Sequence, residues 1–87
     1  MIKKAVTVQI SEKQDREQPI AALLVQAASR YHSVIYMKNG RYNVNAKSIM
    51  GMMMLGISNG DQIQVTAEGA DESEAIQHME QCLCCAG

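Results

Sequence analysis

Across residues 5–10 apolar and polar side chains alternate, with Val6, Val8 and Ile10 on one side and Thr7 and Gln9 on the other. This is the period of a half-buried strand, which ends at Ser11. Residues 11–18 are polar, show no periodicity and lead into Pro19, a residue suited to the first turn of a helix, so they read as an exposed loop. Ile20, Leu23, Leu24, Ala27, Ala28 and Tyr31 then recur at i, i+3, i+4, i+7, i+8 and i+11, which turns one helical face toward a core. Residues 34–38 and 41–45 flank Asn39-Gly40, the dipeptide that best accepts positive φ at both centres of a type I′ turn, and predict a hairpin. Ser48 before Ile49-Met50-Gly51-Met52-Met53-Met54-Leu55, with Gly56 after, predicts about two turns of helix between a serine cap and a glycine stop. Ile63, Val65 and Ala67 alternate as a fourth strand. Asp71 and Glu74 predict a capping box that opens a last helix with Ala75, Ile76, Met79 and Leu83 inward.

The resulting order is βαββαβα. Its helices can all cover one face of a four-stranded antiparallel sheet, giving a two-layer α+β domain whose other sheet face stays solvated. A chain of 87 residues, 47% of them apolar, supplies one core and no second domain, so residues 1–87 read as one unit. No apolar run approaches membrane-spanning length. Near the start, two lysines are followed by Thr7, Gln9, Ser11 and Glu12 before any hydrophobic segment of signal-peptide length develops, and a cytoplasmic location is expected.

Charge narrows the function. The net charge is -1 and the eight basic residues are scattered, so the electrostatic footprint of a nucleic-acid binder is missing. The three cysteines, Cys82, Cys84 and Cys85, lie too close together for a disulfide framework, which fits a reducing compartment.

Three segments carry a resemblance. Residues 45–56, Asn-Ala-Lys-Ser-Ile-Met-Gly-Met-Met-Met-Leu-Gly, are similar to the regulatory-serine region of the histidine-containing phosphocarrier protein (HPr) family of the sugar phosphotransferase system. Residues 22–29 resemble that family's first helix, and Gly69-Ala70-Asp71-Glu72 with Glu74-Ala75 resembles the entry to its last. The resemblance implies an open-faced β-sandwich, in agreement with the order read from periodicity. In the family's main branch a histidine just before the first helix accepts a phosphoryl group from a donor enzyme and passes it to sugar-transport proteins. The chemistry suits the place, because imidazole is nucleophilic near neutral pH and a helix N-terminus stabilises phosphate.

Here that loop holds Asp15, Arg16, Glu17 and Gln18. Anchoring on the first helix sets Glu17 at the histidine position and Pro19 at the family's arginine; anchoring on the proline sets Arg16 and Gln18 there. Neither alignment supplies a histidine. His32 lies past the far end of the helix, roughly 18 Å from its start at about 1.5 Å per residue, where the dipole opposes phosphate. His78 is expected on the wet face of the last helix.

Ser48 is the site that remains. Taken alone, a serine at a helix start is a cap contributing about 1 kcal/mol. Within the family motif, the matching serine is the target of HPr kinase/phosphorylase, and Ile49, Met50 and Met53 match the family's apolar docking patch, to which Ile20 is added. Met52 and Met54 enlarge a methionine cluster able to suit several partner shapes, though some of these side chains must face the core. The chain is similar to the catabolite-repression HPr branch, which keeps the serine, lacks the histidine and acts with a transcriptional repressor. That branch also keeps an arginine and a proline after the lost histidine; here either Arg16 reaches the same space or no residue does.

No enzymatic activity, cofactor, metal, membrane or direct nucleic-acid contact is expected. A homodimer formed by exchange of the first strand is compatible with the long loop after it. Cys82 and Cys85 share a helical side while Cys84 points elsewhere, and no further ligands complete a zinc site. Small apolar residues closing the last helix are the ordinary reading of this tail. The alternatives to a serine switch are a paralogue that has lost both roles and a thiol sensor using Cys82 to Cys85.

Overall fold

The computed structural model describes residues 1–10 and 19–84. The elements run β1 (Ile2–Thr7), α1 (Ile20–Ala28), β2 (Val34–Asn39), β3 (Tyr42–Asn45), α2 (Ile49–Leu55), β4 (Gln62–Glu68) and α3 (Glu72–Leu83). The four strands form one antiparallel sheet in the order β1-β4-β2-β3. This is the α+β open-faced sandwich expected from the sequence. α3 lies against β1 and β4, α1 packs beside α3, and α2 packs on α1 and β3.

The period-two alternation gives the sheet its two sides. Ile63, Val65 and Ala67 of β4 and Ile35 and Met37 of β2 are buried beneath the helices, where Leu24, Ala28, Ala75, Met79 and Leu83 meet them. Lys38, Gln62, Glu68 and Asn43 face water on the other side or at its margins.

β1 begins at Ile2 and stops at Thr7, earlier than the alternation of residues 5–10 predicts. The cause is Lys4. Its register opposite Val65 puts it on the helix side of the edge strand, and its ammonium group reaches Glu80 of α3 at 2.8 Å. A charge at an apolar position hides the strand's true start. Val8 is buried beyond the strand, where its backbone nitrogen donates to the Asp61 carbonyl at 2.8 Å.

The hairpin is also displaced by one residue. Asn39 pairs with Tyr42, leaving Gly40-Arg41 as the two-residue turn. Gly40 has φ 63°, and no described non-glycine residue has positive φ, so the turn has the glycine-first pattern of type II′ and not of type I′. β2 is held from both sides, with Tyr36 opposite Thr66 and Asn45, and this two-sided pairing sets the register that the Asn-Gly dipeptide alone suggested differently.

α3 starts at Glu72 after Asp71, but without a capping box, because the Asp71 side chain makes no cap bond. Its carboxylate accepts from the His32 and Ser33 amides at 2.8 and 2.9 Å and from the Ser33 hydroxyl. The residue thus joins the start of α3 to the connection between α1 and β2. Gly69 completes this junction, since a Cβ there would lie 2.6 Å from Ser33 Oγ and 2.7 Å from Ser33 Cα.

Candidate regulatory site around Ser48

Ser48 sits at the head of α2 in an extended conformation, φ -99° and ψ 114°, and its hydroxyl accepts the Gly51 amide at 3.3 Å. Its own carbonyl accepts from Met52 at 3.0 Å. The helix closes on Gly56 in the left-handed region, φ 64° and ψ 50°. The serine cap and glycine stop predicted from residues 48–56 are therefore both present. The serine is exposed, so its oxygen both caps the helix and faces solvent.

Gly51 lets the helix start approach β3. A Cβ at this position would lie 3.2 Å from Val44 Cβ and 3.4 Å from Ser48 Oγ. On the approach to the serine, the Lys47 amide donates to Asn45 Oδ1 at 2.8 Å, and its ammonium group donates to the Tyr31 carbonyl at 2.7 Å. No acidic residue occupies the first turn of α2, so the unpaired amides there meet no opposing carboxylate from their own helix.

The seven residues of α2 divide sharply. Met52 and Leu55, three apart, are buried, whereas Met50 is 75% exposed, Met53 and Met54 are each 68% exposed, and Ile49 is 44% exposed. Ile49, Met50 and Met53 thus form an outward face next to Ser48, and Met54 extends it. Ile20 lies elsewhere. It is buried in the core, so its placement in a docking patch is corrected: as the first residue of the apolar periodicity in α1, it faces the sheet. Pro19 is exposed at the start of α1, while Arg16, Glu17 and Gln18 fall outside the described residues.

Neither histidine lies at the start of α1. His32 is exposed, and its backbone amide is bound by Asp71. His78 is half-buried instead of wet, with Nδ1 2.8 Å from the Tyr31 hydroxyl and the two rings edge to face at 5.7 Å. This bridge between α3 and the end of α1 is visible only in three dimensions, because 47 residues separate its partners.

In the cysteine tail, Cys82 is buried in the core and Cys84 is exposed, with its thiol donating to the Thr7 carbonyl at 3.2 Å; Cys85 lies outside the described residues. Among the described residues no group of three or more His, Cys, Asp or Glu side chains converges as a metal site, and no helix is long and apolar enough to cross a membrane.

A β1-β4-β2-β3 sheet backed by helices on one side, with an exposed serine heading the second helix, defines a small domain of the HPr architecture. The family model described as PTS HPr component phosphorylation site matches residues 4–84, and the chain belongs to that family. It is similar to the HPr-like protein Crh of Halalkalibacterium halodurans, 43% identical over 77 residues that cover 88% of this chain and 89% of that one. Its structure is similar to the phosphocarrier protein HPr of Bacillus anthracis, with a TM-score of 0.84 and 38% identity over 94% of this chain and 95% of the other. It is also similar to Crh of Bacillus subtilis, a catabolite-repression protein whose crystal structure is described as a domain-swapped dimer, with a TM-score of 0.71 and 32% identity over 94% of this chain and 87% of that chain. Within the family, the chain is therefore an HPr-like protein similar to catabolite-repression HPr.

Proposed function

We propose that this protein is a non-enzymatic regulator of carbon catabolite repression, switched by phosphorylation of Ser48 and without a part in phosphohistidine transfer. The observation that carries the reading is the position of Ser48, exposed at the head of α2 beside the outward face of Ile49, Met50 and Met53. The sequence adds a negative argument: residues 11–18 contain no histidine, and His32 and His78 are the only two in the chain.

HPr kinase/phosphorylase is the modifying enzyme in this reading, and a catabolite-control transcriptional repressor is the partner. The switch acts at the surface. A phosphoserine adds roughly -1.5 to -2 charges and places its oxygens near the unpaired amides and positive dipole of the helix start, so the helix survives modification. The new charge borders the apolar face and changes which partner surfaces fit it. A homodimer by exchange of β1 belongs to the same reading: among the described residues β1 is an edge strand that pairs with β4, and a second copy can supply an identical ladder.

Intact mass spectrometry after incubation with HPr kinase and ATP tests the proposal. One phosphate gained by the parent and none by Ser48→Ala is the expected result. No phosphate on either protein would remove the serine switch and leave a paralogue without both family roles. Incubation with the donor enzyme and its phosphate source tests the other branch, because an acid-labile phosphohistidine would overturn the proposal.

A further inference from the structure

Four of the chain's seven methionines lie between residues 50 and 54. The fold sorts all seven into two sets: Met37, Met52 and Met79 are no more than 1% exposed, whereas Met1, Met50, Met53 and Met54 are 68–75% exposed. Met50, Met53 and Met54 stand at i, i+3 and i+4, so their thioethers share one helical face immediately after Ser48. Leucine would give that face similar area and helix propensity. What methionine adds is a flexible, polarisable sulfur that can be oxidised.

We infer that Met50, Met53 and Met54 are a reversible oxidation site that controls access to Ser48. The inference rests on the proposed serine switch, since it concerns docking of the kinase over the same face. In the modifying step, a sulfur lone pair attacks one oxygen of hydrogen peroxide. The O–O bond breaks, an S=O bond forms, the sulfide is oxidised by two electrons to the sulfoxide, and the peroxide is reduced to water. Methionine sulfoxide reductases reverse the change, with a dithiol supplying the two electrons and the oxygen leaving as water. Burial protects Met52, which anchors α2 beside Leu55, so the outward face changes from apolar to dipolar while the helix keeps its seat. A kinase surface that covers this face would then bury sulfoxide oxygens without partners, which slows phosphorylation by about tenfold.

The experiment treats the protein with hydrogen peroxide and then with dithiothreitol, which restores oxidised thiols and disulfides but leaves methionine sulfoxides. Peptide mass spectrometry locates the added oxygens, circular dichroism checks the fold, and the rate of Ser48 phosphorylation by HPr kinase is measured. Expected are oxygens on Met50, Met53 and Met54, and on the equally exposed Met1 at the far end of the chain, but not on Met37, Met52 or Met79, an unchanged fold, a rate about tenfold lower, and recovery after treatment with the reductases. The Met50→Leu/Met53→Leu/Met54→Leu variant keeps an apolar face without sulfur, so whatever its own starting rate, peroxide should leave that rate unchanged. An unchanged rate on protein oxidised at all three positions would overturn this inference alone. A triple variant whose rate peroxide still lowers by a similar factor would overturn it too, by placing the effect elsewhere. Absence of phosphate on untreated protein would instead sink the serine switch on which it rests.

Discussion

Gly69→Ala should destabilise the domain more than any exposed substitution around Ser48, although the residue lies outside the helices and is itself exposed. Two costs combine. Gly69 has φ 154°, in the positive range that side chains rarely adopt, and holding alanine there costs about 1–3 kcal/mol. A Cβ would also come within 2.6 Å of Ser33 Oγ, 2.7 Å of Ser33 Cα and 3.0 Å of Ser33 Cβ. The hydroxyl can rotate, but the Cα moves only with the backbone, and the backbone of His32 and Ser33 carries both amides held by the Asp71 carboxylate. Forced repacking of this kind costs about another 1–3 kcal/mol. The combined loss, about 2–6 kcal/mol, is a large fraction of the roughly 5–15 kcal/mol that stabilises a typical domain. At about 4–8 °C per kcal/mol for a chain of this size, the melting temperature falls by at least about 8 °C. Thermal and urea unfolding followed by circular dichroism measure it. Adding Ser33→Gly removes the hydroxyl and its carbon but also the bond to Asp71, and it leaves the clash with the backbone of residue 33 and the positive φ, so it should not restore the parent's stability. A Gly69→Ala protein melting within about 3 °C of the parent would refute the reasoning, because even the lower bound of either cost would shift it further.

Three other outcomes follow from the same geometry. Ser48→Ala should lower stability by about 0.5–1 kcal/mol in urea unfolding, at the low end for a lost cap because the bond to the Gly51 amide is long at 3.3 Å; a loss above about 2 kcal/mol would mean that the serine does more than cap. Asp71 should titrate at about 2 in a carboxyl NMR experiment, below its ordinary 3.8, because the Ser33 hydroxyl, the His32 amide and the Ser33 amide all donate to its ionised form. Its folded value is the lower one, so its stabilising contribution is present above about 3.8 and disappears as pH falls toward about 2; Ser33→Ala should move the midpoint upward, and an unmoved midpoint would contradict the assignment of the hydroxyl as the main cause. Met52→Ala should cost about 2–5 kcal/mol and Met53→Ala about 0.5 kcal/mol or less, since neighbouring methionines face opposite ways, and equal losses would deny that α2 presents these two faces.

The features that were legible in the amino-acid order are those whose cause is local. The cap at Ser48, the stop at Gly56 and the inward stripe of α1 each depend on residues within a few positions, and each is present in the structure. What could not be read depends on distant partners. Lys4 looks like a reason to start β1 later until Glu80, 76 residues away, accepts its charge. Asp71 looks like a helix cap until Ser33, 38 residues away, takes its carboxylate. Ile20 shows two lines of inference in conflict: its inclusion in the docking patch set it on the surface, while its own periodicity set it inside, and its burial together with Leu24, Ala27 and Ala28 decided for the core. The same distinction bears on how a switch at Ser48 would work. Among the described residues the serine side chain bonds the Gly51 amide within its own first turn, whereas the ties that join distant parts of the chain include those of Asp71, Lys4, Lys47, the Tyr31–His78 pair and Asn39, whose side chain donates to the Leu55 carbonyl at the end of α2. A charge placed on the serine therefore breaks no tie that holds one element to another, and its effect has to be read by a molecule that touches the exposed face of α2.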